Sequence, residues 1–117
     1  MSESKSGKDR RQYPRFEIPV KLRPTEFFGK DGRVQNISMG GVRIFGTKKI
    51  DVGTILTVDF ALPSGDWIIA EVRIVWARER SSEPIFKFDI GCRFIDVPSE
   101  SQTILIEYLS TQPSPLE

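Results

Sequence analysis

The chain has 117 residues, ordinary apolar content and a formal net charge of +1, which suits one domain with one core and excludes a global basic field for long nucleic acid. It holds no His and a single Cys, Cys92, so Ser-His-Asp and Cys-His catalysis, imidazole metal sites and an intrachain disulfide are excluded. No apolar run approaches bilayer length and the N-terminus has no signal-peptide core, so a cytoplasmic, reducing setting without membrane insertion is expected.

Residues 1–9 are small and polar and read as a flexible N-terminal arm. Residues 1–15 carry five basic against two acidic side chains, a net of +3, which leaves −2 for the rest of the chain. Any anion site should therefore involve the N-terminal segment. It ends in Arg10-Arg11-Gln12-Tyr13-Pro14-Arg15. Pro14 fixes its own φ and biases Tyr13 away from helix, so Arg11 and Arg15 fall on an extended connection.

From there the apolar pattern has period two, the signature of strands. Ile18, Val20 and Leu22 alternate with Pro19, Lys21 and Arg23. Next comes Asn36-Ile37-Ser38-Met39-Gly40-Gly41, a strand end with a polar face leading into a turn. Leu56, Val58 and Phe60 alternate again, and Ile68, Ala70, Val72, Ile74 and Trp76 share one face with Glu71 and Arg73 opposite. Phe86, Phe88, Ile90, Cys92 and Phe94 make a last apolar face, with Lys87, Asp89 and Arg93 opposite. Breakers separate these runs at Gly29, Asp31-Gly32, Gly46, Gly53, Pro63-Ser64-Gly65 and Ser81 through Pro84. The expectation is an all-β domain of about six strands, an antiparallel barrel or sandwich, in which barrel closure would remove exposed edges. One C-terminal helix is predicted over about 99–110, with Ser99 as its cap and Gln102 in capping-box position. Its stripe is Ile104, Leu105, Tyr108 and Leu109, and it should pack across the barrel end. The domain thus runs over 10–111, and 112–117 reads as a loose tail.

The residue types in the two motifs point to a guanine nucleotide. A guanidinium matches the O6/N7 edge of guanine, stacks on purines and pairs bidentately with phosphate. Arg11 and Arg15 could clamp one anionic purine from two sides. The Asn36 amide can accept from guanine N–H groups and also donate, and Ser38 adds a hydroxyl on the same face. Gly40 and Gly41 permit positive φ and close approach of a ligand to the backbone.

On these residues the chain resembles the PilZ domain family of bacterial cyclic di-GMP receptors. The family's Arg-x-x-x-Arg segment falls on Arg11 and Arg15, and its (Asp/Asn)-x-Ser-x-x-Gly segment on Asn36, Ser38 and Gly41. Ile74-Val75-Trp76 and Gly91-Cys92-Arg93-Phe94 match its later strands, so the resemblance covers about residues 10 to 110. Asn at 36 replaces the commoner Asp. The resemblance implies a six-stranded antiparallel β-barrel with a C-terminal helix. It implies a non-enzymatic second-messenger receptor whose ligand is cyclic di-GMP, with no cofactor and no metal. It also implies a role for Arg10, since relatives with an extra arginine there tend to hold a stacked pair of ligands. Trp76 and Arg93 are further candidates, because residues near them stack on guanine or touch phosphate in some relatives. Ordering of the arm by ligand would create a surface for an unidentified effector protein, in control of motility, biofilm or a related process. A homodimer by arm exchange is left open.

Each residue also has an ordinary reading. Arginines in polar termini usually solvate, and Asn, Ser and Gly together are common turn formers. Trp76 on an apolar strand face is favoured as core, Arg93 as a solvated outward residue, and Cys92 as an inert small hydrophobe. Two rivals stand beside the receptor: a PilZ-like interaction module that has lost its ligand, and a small barrel for single-stranded RNA. The latter would need exposed aromatics interleaved with basic residues on one face.

Overall fold

Alternating burial runs along much of the sheet in the computed structural model, which describes residues 14–23, 27–29, 32–80 and 87–113. The arm over 1–9, Arg10, Arg11, Asp31, Ser81 through Pro84, Phe86 and residues 114–117 lie outside the described residues. The strands are β1 (Lys21–Arg23), β2 (Arg33–Ile37), β3 (Gly41–Gly46), β4 (Ile55–Ala61), β5 (Trp67–Glu79) and β6 (Phe88–Asp96), followed by helix α1 (Ser99–Ser110). They form one antiparallel sheet in the order β1-β4-β5-β6-β3-β2. The sheet curls until its ends meet. An antiparallel bridge joins Phe16, ahead of β1, to Ile37 of β2, with Phe16 N donating to Ile37 O at 2.9 Å and Ile37 N to Phe16 O at 3.0 Å. The result is a nearly closed six-stranded barrel with one C-terminal helix.

The inward side chains are the β-branched and aromatic residues that the alternation selects. Phe60, Ile44, Ile68, Ile74 and Ile90 are wholly buried or nearly so, and Phe28 from the β1–β2 connection fills the same core. The β4–β5 turn forms over Pro63-Ser64-Gly65, where Gly65 takes a φ of 97° and its N–H donates to Leu62 O.

The helix stripe enters the core as expected, with Leu105 and Leu109 buried and Ile104 and Tyr108 packed beside them. Its cap differs. Pro98 is the N-cap, at φ −53° and ψ 148°, without a side-chain hydrogen bond, and Ser99 is already helical. Ser99 is inside the helix and so cannot take the non-helical N-cap conformation, and the expected capping box is not formed. Ser101 does the anchoring instead: its buried Oγ accepts from Ile69 N at 3.0 Å and ties the helix to β5.

Two irregularities decide what the outer wall carries. A bulge in β2 leaves Gln35 as an extra residue, so Val34 pairs with Ile44 but Asn36 pairs with Arg43. A bulge in β5 leaves Val75 extra, so Ile74 pairs with Cys92 but Trp76 pairs with Gly91. Each shifts the side-chain alternation by one residue and reverses the face that follows. Trp76 is therefore not a core residue. It lies half-buried on the outer wall, and Ala77 takes the core-facing place opposite Ile90.

Candidate functional site

The two bulges create one transverse row across four strands. Asn36 of β2 pairs with Arg43 of β3, Arg43 with Gly91 of β6, and Gly91 with Trp76 of β5. This row floors an open cleft of about 540 Å³ on the outside of the barrel, within the range of small-molecule sites. Arg15, Ser38, Met39, Gly40, Gly41 and Arg93 line it as well.

Barrel closure brings Arg15 here. In the Phe16–Ile37 bridge, one step back on one strand and one step forward on the other sets Arg15 level with Ser38. The sequence-predicted Arg15, Asn36, Ser38, Gly40, Gly41, Trp76 and Arg93 are thus brought together. Arg10 and Arg11 lie outside the described residues. Arg15, four residues after Arg11 in the sequence, lines the cleft.

The individual roles are more specific than their residue types suggested. Asn36 is buried in the wall and lines the cleft. The Ser38 hydroxyl is engaged in the β2–β3 turn, accepting from Gly40 N at 3.0 Å and lying 3.5 Å from Gly41 O, to which it donates. Positive φ, expected at Gly40 and Gly41, occurs instead at Gly29, Gly53 and Gly65 among the described residues. What Gly41 supplies is close strand packing: a Cβ there would lie 2.1 Å from Cys92 O. Arg93 is exposed at the rim, opposite Gly41 on one side and Arg73 on the other. Two like charges directly across a ladder repel, and an anion between them relieves the repulsion.

Arg43 and Asp89 escaped the sequence reading. Asp89 is only 4% exposed although it lies on the outer wall. Arg43 Nε donates to its Oδ1 at 2.7 Å and Arg43 Nη2 donates to its Oδ2. That hydrogen bond raises the Arg43 pKa, burial opposes it, and the charge of Asp89 adds to the rise. The guanidinium carbons of Arg43 and Arg78 stand 5.6 Å and 5.2 Å from the centre of the Trp76 ring. The signal for the pair lay in the alternation, which puts Gly41, Arg43 and Phe45 on one face and Asp89, Gly91 and Arg93 on the same face of the neighbouring strand. No spacing rule connects positions 46 residues apart.

Among the described residues no group of three or more His, Cys, Asp or Glu stands together to hold a metal, and no helix is long and apolar enough to cross a membrane. What the cleft offers is guanidinium groups from three strands or their approach, one amide and a half-buried indole. Such a surface can take an anion that carries a planar ring. Fold and cleft together define a small β-barrel ligand-binding domain. The chain belongs to the PilZ domain family, whose model matches residues 9–111.

Solved structures agree on the fold. The chain is similar to the Bacillus subtilis inhibitor of motility MotI/DgrA at a TM-score of 0.66 and 19% identity, over 89% of this chain and 54% of that one. It is similar to YcgR of Escherichia coli, solved in complex with c-di-GMP, at a TM-score of 0.62 and 17% identity, over 86% of this chain and 46% of that one. The chain therefore spans about half the length of these two structures. No curated protein matches it.

Proposed function

We propose that this chain is a non-enzymatic receptor for cyclic di-GMP. The observation that carries the reading is the row Asn36, Arg43, Gly91 and Trp76, with Arg15 at its lip. It joins a ring-stacking surface, an amide and fixed guanidinium donors, the functions a guanine nucleotide requires. The YcgR structure, whose ligand is c-di-GMP, supports the choice among anionic ring compounds.

In this reading Arg15 and Arg11 clamp guanine and phosphate, Asn36 meets a guanine edge, Ser38 shapes the turn beneath it, and Arg93 meets phosphate at the rim. Arg10 supplies a further guanidinium for a second, stacked ligand. Ordering of the N-terminal segment on the occupied cleft creates the surface that an effector protein recognises. The action is cytoplasmic, where the messenger is.

Titration calorimetry with cyclic di-GMP tests the reading. Binding in the micromolar range or tighter is expected, weakened at least about tenfold in Arg11→Ala and Arg15→Ala, since a hydrogen bond to a charged group contributes about 1.5–3 kcal/mol. A stoichiometry of two per protomer that falls to one in Arg10→Ala supports the stacked pair, and one in the parent protein refutes it. The absence of heat refutes the receptor reading.

A further inference from the structure

A buried carboxylate on the outer wall of a barrel is tolerated only with donors aimed at both oxygens. At Asp89 those donors come from two strands. Arg43 on β3 takes both oxygens, and Arg78 on β5 brings Nη2 to 3.8 Å from Oδ2. The same two arginines flank Trp76. The indole lies directly on Gly91, so closely that a Cβ at that position would be 2.2 Å from its Nε1 and 2.3 Å from its Cε2. Asp89 and Gly91 are neighbours on one face of β6, so carboxylate, glycine floor, guanidinium groups and ring form one contiguous cluster.

We propose that Asp89 is a positioning residue of the cleft: by gripping Arg43 it holds the Trp76 ring flat on Gly91 as a preformed stacking surface. The identity of the ring that stacks there rests on the cyclic di-GMP reading, and the preformed state of the indole does not.

Two consequences follow from the chemistry of the pair. The carboxylate binds Arg43 through two of the five N–H donors of a guanidinium, which leaves three for the cleft that Arg43 lines. It also neutralises the Arg43 charge locally, so Arg43 acts on a ligand by fixed hydrogen bonds and geometry, while Arg15 and Arg93 supply the field. A lysine has neither the fork nor the plane to replace it. Holding the ring in place before the ligand arrives removes an ordering cost from binding.

The test uses the full chain with Trp67→Phe, which leaves Trp76 as its one tryptophan. Asp89→Asn and Arg43→Lys are compared with this parent, with folding checked by circular dichroism. In the ligand-free proteins, acrylamide quenching of Trp76 is expected to rise about twofold in both variants as the ring comes free. Affinity for cyclic di-GMP is expected to fall about tenfold, and Arg43→Ala with Asp89→Asn is expected to bind no more weakly than Arg43→Ala alone. Arg43→Lys keeps the charge beside Asp89, so it decides the matter if Asp89→Asn does not fold. Unchanged quenching in the folded variants overturns the proposal whatever happens to affinity, as does a further loss on adding Asp89→Asn to Arg43→Ala. A parent that does not bind cyclic di-GMP overturns the ligand reading alone. The quenching result then decides the positioning role in the same way.

Discussion

A methyl group added at Gly91 and one added at Gly41 meet different obstacles. At Gly91 it meets the Trp76 ring, the end of a half-buried side chain that can swing aside. At Gly41 it meets the Cys92 carbonyl oxygen at 2.1 Å, which cannot move without parting β3 from β6. Gly91→Ala should therefore cost about 1 kcal/mol of stability but weaken cyclic di-GMP at least about tenfold, and Gly41→Ala should cost about 3 kcal/mol. Urea unfolding and calorimetry on both variants check the contrast. Cys92 makes a second residue-scale prediction. Burial pushes its thiol from an ordinary 9.0 up to about 12. Below about pH 9 the thiol is protonated in both folded and unfolded chains, so the shift has no effect there. Above that, the unfolded chain loses the proton first, and stability falls by about 1.4 kcal/mol per pH unit until the folded thiol ionises too. Cys92→Val lacks this loss. The stability of the parent relative to the variant should drop by about 2 kcal/mol between about pH 8 and about pH 10.5 in urea unfolding, and an unchanged difference refutes it.

At the scale of elements, periodicity made the strands legible because burial on one face is what period two encodes. Ile68, Ala70, Val72 and Ile74 went to the core as read. The same reading misplaced Trp76, because a bulge is a single extra residue whose signature is absent from the apolar pattern. Asn36 was recognised by motif, yet the reason it faces the cleft, the bulge at Gln35, was equally invisible. The Arg43–Asp89 pair was hidden for a different reason: it depends on β3 lying beside β6, a non-local pairing. The β2–β3 turn carries the prediction at this scale. Ser38→Ala removes a hydroxyl that accepts from Gly40 N and donates to Gly41 O. A net loss of about 1 kcal/mol is expected, or roughly 4 °C in the melting temperature of a domain this size. Affinity should fall by less than in Arg15→Ala, because the turn re-forms through the Ser38 N to Gly41 O bond at 2.9 Å. A melt equal to the parent's alongside lost binding would instead assign the hydroxyl to the ligand.

For the whole molecule, the closure of the barrel and the proposed ligand arginine Arg15 meet at one point. The Phe16–Ile37 bridge closes the sheet, and Arg15 stands immediately before it. Everything described in the core lies after Pro14, with Ile18, Val20 and Leu22 already turned inward. The N-terminal basic excess, by contrast, lies wholly before the bridge, with Arg15 as its last member. On the proposed reading, stability and ligand capture should be separable by cutting the chain. Removing residues 1–13 deletes Arg10 and Arg11 but keeps the bridge, so the melting temperature without ligand should stay within about 2 °C of the parent's. Ligand present at about a hundred times its Kd should stabilise the parent by about 2.7 kcal/mol and the shortened chain by much less. A thermal-shift titration of the two proteins side by side reads both numbers. A large drop without ligand would make the deleted segment part of the fold, and equal ligand-induced shifts would remove Arg10 and Arg11 from ligand capture and leave it to Arg15 and the barrel wall.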